Sequence, residues 1–91
     1  MFFAVITKDK AGALEVRMAN RDAHLAYIQE TGVVMQAGPF LDENEQMCGS
    51  LLILDVPSLQ DAKDWASNDP YAKADLFQSV TVQAWKRVVS K

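Results

Sequence analysis

One stretch of the sequence carries the side chains best suited to acid–base chemistry. Arg17, Arg21 and His24 are spaced i, i+4 and i+7, which places them in one stripe along an α-helix. His24 is the only histidine in the chain, and imidazole is the side chain that exchanges a proton most readily near neutral pH, as a general base or acid. A lone histidine beside an apolar helix face is also commonly a packed, hydrogen-bonded residue, so both interpretations stay open at this point.

The two arginines of this stripe need anionic partners. Cations one helical turn apart repel each other unless carboxylates or an anionic ligand lie between them. Arg21 lies inside the arc that holds the apolar residues of the helix, whereas Arg17 and His24 lie along one edge of it. We expect this arc to be the core face, and its apolar members are Leu14, Met18, Leu25 and Ile28. Arg21 is therefore the stronger candidate to hold a ligand anion, and Arg17 the weaker one. Salt bridges to a neighbouring strand are the alternative for both.

Asp69 is the candidate partner of His24. It precedes Pro70, an arrangement typical of a helix N-cap, so a purely structural role is the alternative. A carboxylate that accepts a hydrogen bond from one imidazole nitrogen fixes the tautomer and stabilises the imidazolium. Spacing along the chain does not show that the two residues meet. Tyr71 follows the same turn, and we expect it to contact the substrate.

Gly38-Pro39 is a further candidate for the lining of a ligand pocket. A glycine lets a ligand approach the backbone closely. The dipeptide is equally a plain terminator of the strand predicted before it. Both residues are kept as candidate substrate contacts.

The elements that must position these residues follow the order β-α-β-β-α-β, which predicts a ferredoxin-like α+β fold. Such a fold has an antiparallel four-stranded sheet with both helices on one face. The predicted strands span residues 2–7, 33–37, 49–56 and 76–89. A long helix is predicted from about 13 to 30, a short one after an N-cap at Ser58, and one further turn at Pro70. The polar residues 8–12 read as a loop.

Two helices cover only one face of this sheet. The runs Phe2–Ile6 and Leu51–Leu54 are apolar at successive positions, so the other face also carries apolar side chains. An exposed apolar sheet face of this size indicates association. We therefore expect a homodimer with sheets packed face to face, in the manner of a dimeric α/β barrel.

Composition excludes several classes of function. The 91 residues, 49% apolar and 23% charged, predict a single domain spanning 1–91. The net charge of −3 argues against binding to nucleic acid or to an anionic membrane surface. One cysteine, Cys48, and one histidine cannot form a disulfide or a structural zinc site, and no cofactor-binding motif occurs. The apolar run after Met1 is too short for a signal or a membrane span, so we expect a cytoplasmic protein without metal or cofactor.

The order and spacing of these motifs resemble those of the YCII (YciI-like) family. The resemblance covers essentially the whole chain. It is carried by Arg17…Arg21…His24-Leu25-Ala26-Tyr27-Ile28, Gly38-Pro39, Gly49 with its apolar strand, and Asp69-Pro70-Tyr71 before a last strand with Trp85. It implies a ferredoxin-like fold, a dimer of the α/β-barrel type, and an active-site pair formed by His24 and Asp69.

The same resemblance implies an activity. The family includes a dehydrochlorinase that removes chloride from a chlorinated hydroxyhydroquinone during bacterial breakdown of chloroaromatics. We therefore predict a cofactor-independent lyase that acts on a small aromatic or anionic ring. The alternatives are proton transfer like that of the related muconolactone isomerases, and a non-catalytic ligand-binding or accessory dimer in which the His–Asp pair is structural. A solvent-reachable cavity beside His24 would favour an enzyme.

Overall fold

Four strands and three helices build the fold, which the computed structural model describes for residues 1–91. The elements are β1 (Phe2–Asp9), α1 (Leu14–Thr31), β2 (Val34–Leu41), β3 (Met47–Asp55), α2 (Leu59–Asn68), α3 (Pro70–Lys73) and β4 (Phe77–Trp85). The strands form one antiparallel sheet in the order β2-β3-β1-β4. The predicted ferredoxin-like arrangement is confirmed. Several strand bounds differ from the prediction. Residues 8 and 9 belong to β1, β2 continues to Leu41 rather than ending at residue 37, β3 begins at Met47 rather than at residue 49, and the last strand ends at Trp85 rather than at residue 89.

The core lies between the helices and the central strands β1 and β3. Phe3 and Val5 pair with Leu54 and Leu52, and cross-strand partners share one face of a sheet. Trp65 of α2 packs onto this face. Burying each of these large apolar side chains contributes about 1.5–3 kcal/mol. Their packing fixes the sheet and α2 as the frame on which the remaining elements are placed.

Local sequence signals fix where α2 begins. The backbone N–H of Asp61 donates to Ser58 Oγ at 3.2 Å, which confirms the predicted N-cap. The backbone then breaks at Asp69, and α3 starts with Pro70 at its first turn. This break brings Asp69 back towards α1.

Helix α1 is rotated relative to the prediction. Met18 and Leu25, expected in the core, are 52% and 44% exposed. The buried residues of the helix are Arg17 and His24. Arg21, expected inside the buried arc, is exposed. The physical reason is that the carboxylates of Asp9 and Asp69 lie on the buried side of α1. Arg17 and His24 find their partners there.

Gly38-Pro39 lies inside β2, not at its end as predicted. β2 is an edge strand, and its outer side needs no backbone N–H donors for the sheet. A proline is therefore tolerated in the middle of this strand. The dipeptide faces the region between β2 and α1 from a regular, extended segment.

The sheet face away from the helices carries exposed apolar side chains, as predicted. Ile6 and Leu51 are cross-strand partners, and Phe40 and Trp85 extend the exposed apolar surface towards both edges. None of the helices has the length and apolar character that crossing a lipid bilayer requires.

Gly49 allows β1 and β3 to approach closely, and this makes a testable prediction. A Cβ at this buried position would overlap the carbonyl oxygen of Thr7. Gly49→Ala is therefore expected to lower the free energy of unfolding by about 1–3 kcal/mol in urea titrations. The matched control is Gly38→Ala, because a Cβ there has no atom within 4 Å. Equal unfolding midpoints for the two variants would refute the prediction.

Candidate functional site

His24 and Asp69 meet in the structure. Imidazole Nδ1 of His24 lies 2.8 and 3.0 Å from the two carboxylate oxygens of Asp69. The two side chains are 8% and 3% exposed. Because an ionised carboxylate can only accept, Nδ1 carries the hydrogen and Nε2 is left as the basic nitrogen. The contact that chain spacing could not show is present.

Asp69 both caps α3 and binds the imidazole of His24. Its Oδ1 accepts a hydrogen bond from the backbone N–H of Tyr71 at 2.9 Å, which confirms the predicted N-cap of α3. The same oxygen also accepts from His24. Capping therefore holds the carboxylate in the orientation that the imidazole requires.

Tyr71 contacts Arg17 and His24, the two buried basic residues of α1. Its ring stacks on that of His24, with centroids 4.0 Å apart and planes at 16°, and the Cζ atom of Arg17 lies 4.7 Å from its centroid. Burial raises the pKa of the Tyr71 phenol, the charges of Arg17 and Arg21 oppose this rise, and Asp69 adds to it. The net result is a pKa above the ordinary value, so the phenol stays protonated near neutral pH.

Arg17 forms the salt bridge that was the alternative to ligand binding. Its Nε and Nη2 donate to the two carboxylate oxygens of Asp9 at 2.7 and 3.1 Å, and Nη2 also donates to Ser50 Oγ at 2.9 Å. Burial acts to lower the pKa of Arg17, but the hydrogen bonds and charge of Asp9 outweigh it and raise the pKa. Arg17 is therefore a fixed part of the site wall.

Two residues of the site, Asp9 and Ser50, were not predicted from the sequence. Asp9 was assigned to a loop, yet Phe3, Val5, Thr7 and Asp9 alternate with period two and are all buried on the helix side of β1. Extending that alternation by one step would have placed the carboxylate on the core face. Ser50 carries no comparable signal, because its role arises only from the pairing of β3 with β1.

Arg21 is the cation left free in the stripe. It is exposed and forms no hydrogen bond or ion pair within the chain, although it lines the cavity beside His24. The prediction that it is buried was wrong. A guanidinium without an internal partner at the edge of a cavity is available to a ligand anion.

A cavity of about 200 Å³ lies between α1 and the β2–β3 half of the sheet. We call it the His24 cavity. Its lining includes every predicted site residue except Asp69, which lies behind the imidazole: Arg17, Arg21, His24, Gly38, Pro39 and Tyr71. Nε2 of His24 forms no hydrogen bond within the chain. Thr7 Oγ1 is the one fully buried side-chain oxygen or nitrogen without a partner, so Nε2, which also lacks a partner, is not fully buried. Nε2 is thus open to a molecule in the cavity.

A larger depression of about 690 Å³ lies beside the β1–α1 connection and the β2–β3 hairpin. It includes neither His24 nor Asp69 in its lining, so its volume does not make it the site of acid–base chemistry. No group of three or more histidine, cysteine, aspartate or glutamate side chains is placed to hold a metal ion.

Comparison with known proteins places this geometry in context. Residues 1–86 match the family described as the YCII-related domain. Protein YciI of Escherichia coli O6:H1 is 36% identical over an alignment of 97 positions. The alignment covers 97% of this chain and 99% of that protein.

Solved structures show the same relationship. The 5-chloro-2-hydroxyhydroquinone dehydrochlorinase TftG from Burkholderia phenoliruptrix AC1100, solved in complex with 2,5-dihydroxybenzoquinone, is 36% identical, with a TM-score of 0.86 over 94% of each chain. Rv0793 from Mycobacterium tuberculosis, at 16% identity and a TM-score of 0.64 over 99% of this chain and 100% of that one, shares the fold alone.

Proposed function

The chain belongs to the YCII-related domain family, and on this basis we propose that it is a cofactor-independent dehydrochlorinase acting on a small chlorinated hydroxyhydroquinone-type ring in chloroaromatic breakdown. The observation that carries the proposal is the His24–Asp69 pair in the wall of the His24 cavity, where Nε2 forms no hydrogen bond within the chain. A relative with the same fold and 36% identity is a dehydrochlorinase solved with a small quinone.

The size of the His24 cavity supports a single-ring substrate. A cavity of about 150 Å³ accommodates benzene. The volume of about 200 Å³ found here therefore suits one ring with a few hydroxyl or chlorine substituents. Leu52 and Ile28 give the ring an apolar contact surface, while Arg21 supplies the charge for a phenolate.

The reaction follows from the placement of the groups. Nε2 of His24 takes a hydroxyl proton from the ring, and the hydrogen bond from Nδ1 to Asp69 stabilises the imidazolium. The ring shifts to its keto form as a proton is added to the chlorine-bearing carbon. Loss of a second hydroxyl proton then expels chloride with the electron pair of the C–Cl bond and leaves a quinone. The net change is the loss of HCl, so the balance requires no oxidant.

The direct test is chloride release from 5-chloro-2-hydroxyhydroquinone by the purified protein, without added cofactor and under anaerobic conditions. We expect one chloride for each quinone formed. A rate no higher than that of heat-inactivated protein would refute the proposal. Ring isomerisation without chloride release would instead favour the isomerase alternative.

The non-catalytic alternative has less support. A structural His–Asp pair is expected to have both imidazole nitrogens satisfied inside the protein. In His24 only Nδ1 has a partner, and Nε2 remains free beside a cavity with an unpaired guanidinium. This arrangement supports an enzyme over an accessory protein.

Arg21 is proposed to hold the substrate anion, and this gives a second prediction. Arg21→Gln is expected to raise KM about 10-fold with little change in kcat or stability, because a charge-assisted hydrogen bond to the substrate is lost. The measurement is the substrate dependence of chloride release. The control is Lys63→Gln, an exposed cation of α2 that does not line the His24 cavity. An unchanged KM in Arg21→Gln would contradict this role.

We also propose that the chain forms a homodimer through the open sheet face. The support is the exposed apolar surface of Ile6, Leu51, Phe40 and Trp85, which a second sheet would cover. Sedimentation should give the mass of a dimer at micromolar concentration. A stable monomer under those conditions would disprove the assembly.

A further inference from the structure

Tyr71 touches both members of the His24–Asp69 pair by different parts of the residue. Its backbone N–H donates to Asp69 Oδ1 at 2.9 Å, and its ring covers the face of the His24 imidazole at 4.0 Å. The side chain is 1% exposed, so the ring has no freedom to move away. One buried residue thus restrains the carboxylate and the imidazole together.

The Tyr71 ring also contacts Arg17. Arg17 and His24 are seven residues apart on α1, which corresponds to about 10.5 Å along the helix axis. The Tyr71 centroid lies 4.7 Å from Arg17 Cζ and 4.0 Å from the His24 centroid, so the ring contacts both side chains. Arg17 is itself held by two hydrogen bonds to Asp9 and one to Ser50.

These contacts form one continuous stack. It runs from Asp9 through Arg17 and the Tyr71 ring to the His24 imidazole and Asp69, and every member is buried. A cation over an aromatic ring and a second ring stacked on it are both favourable contacts. The stack therefore prevents rotation of the imidazole about its side-chain bonds, which a single hydrogen bond at Nδ1 would not prevent.

We propose that Tyr71 is a positioning residue whose ring, held against Arg17, fixes the plane of His24 so that Nε2 points into the His24 cavity. This inference rests on the proposed function for its effect on turnover. It does not rest on that function for its effect on the imidazole. The expectation that Tyr71 contacts the substrate stays a prediction, and the role proposed for its ring acts through His24.

The test uses the fact that His24 is the only histidine of the chain, so that its imidazole signals are unambiguous in NMR spectra. The charged and titratable groups around it are Asp69, Tyr71, Arg17 and Arg21. In the unaltered protein we expect nitrogen-15 shifts of a fixed Nδ1–H tautomer, and carbon-bound ring protons shifted by the aromatic ring above them.

Tyr71→Leu should move the two nitrogen shifts towards the average of a mobile, mixed-tautomer imidazole. It should also lower kcat by roughly 10- to 100-fold with little change in KM. Tyr71→Phe keeps the ring, so it should retain the nitrogen shifts of the unaltered protein and lose less kcat than the aliphatic variant. Where Tyr71→Leu does not fold, Tyr71→Met replaces it, because its flexible, unbranched side chain fills irregular gaps in a core without a planar ring.

A fixed Nδ1–H tautomer in the folded aliphatic variant would overturn the inference. So would a loss in Tyr71→Phe as large as that in the aliphatic variant, since the hydroxyl rather than the ring would then be responsible. Failure of the proposed function is seen separately. If the unaltered protein releases no chloride, the dehydrochlorinase proposal fails, while the nitrogen shifts still decide whether Tyr71 positions His24.

Discussion

His24→Ala is expected to lower the rate of chloride release by about 10²- to 10⁴-fold, the usual contribution of general acid–base catalysis. Of the side chains that line the His24 cavity, imidazole is the one that most often serves as a general base or acid, and its Nε2 has no hydrogen-bond partner within the chain. The fold should persist, since the apolar core between α2 and the sheet does not include His24. Near-normal turnover in a folded His24→Ala protein would end the catalytic account.

Asp69→Asn separates the two functions of Asp69. Asparagine caps a helix as well as aspartate does, so α3 should form and the unfolding midpoint should change little. The negative charge that stabilises the imidazolium is lost, and turnover is expected to fall at least about 10²-fold. Asp64→Asn, an exposed carboxylate of α2, is the matched control and should behave like the unaltered protein. A variant that instead lost stability and kept its activity would show that Asp69 only caps α3.

Arg17→Met is expected to have the largest effect on stability, a loss of about 3–5 kcal/mol. The substitution leaves the Asp9 carboxylate, 5% exposed, without its cation. An unpaired buried charge is far more costly than the absence of both charges. The double variant Arg17→Met/Asp9→Leu should therefore recover most of the lost stability.

Urea unfolding of the two single variants and the double variant forms a thermodynamic cycle for this ion pair. Strong coupling is expected, with each single variant less stable than the double variant. Additive losses in the cycle would mean that the Asp9–Arg17 contact contributes little and that the site wall is held by other packing.

The order of elements was readable from the sequence because its signals are local. Gly32, for example, has a left-handed backbone and ends α1, and Ser58 and Asp69 cap the helices that follow them. Each signal depends on residues within one helical turn. Strand alternation between Val80 and Ala84 is a local signal of the same kind. The fold class follows once such segments are placed in order.

The rotation of α1 could not be predicted from the sequence of the helix, because it is decided by residues on other elements. Asp69 lies 45 positions from His24, and Asp9 lies on the strand before the helix. Their carboxylates pair with Arg17 and His24 and so favour burial of these two residues, while Met18 is exposed. Hydrophobic periodicity assigns charged residues to the solvent side of a helix. It contains no information about partners that only the tertiary structure supplies.

The His24–Asp69 pair could be proposed from residue types and from family resemblance, but its cavity could not. The His24 cavity exists because β2 passes below α1 with Gly38-Pro39 inside the strand, and the sequence analysis had placed this dipeptide at the strand end. Arg21 was predicted to be the likelier anion contact because it was expected to be buried, and the structure shows it exposed. It is available because it is exposed, not because it is buried.

The central claim is that a single oxygenated ring binds beside Nε2 of His24. The most direct measurement is an NMR titration of nitrogen-15-labelled protein with 2,5-dihydroxybenzoquinone. The account predicts a large shift of His24 Nε2, with backbone changes concentrated at Arg21, Gly38 and Tyr71. Binding that leaves Nε2 unchanged and instead shifts residues of the larger depression, such as Lys8 and Cys48, would contradict it.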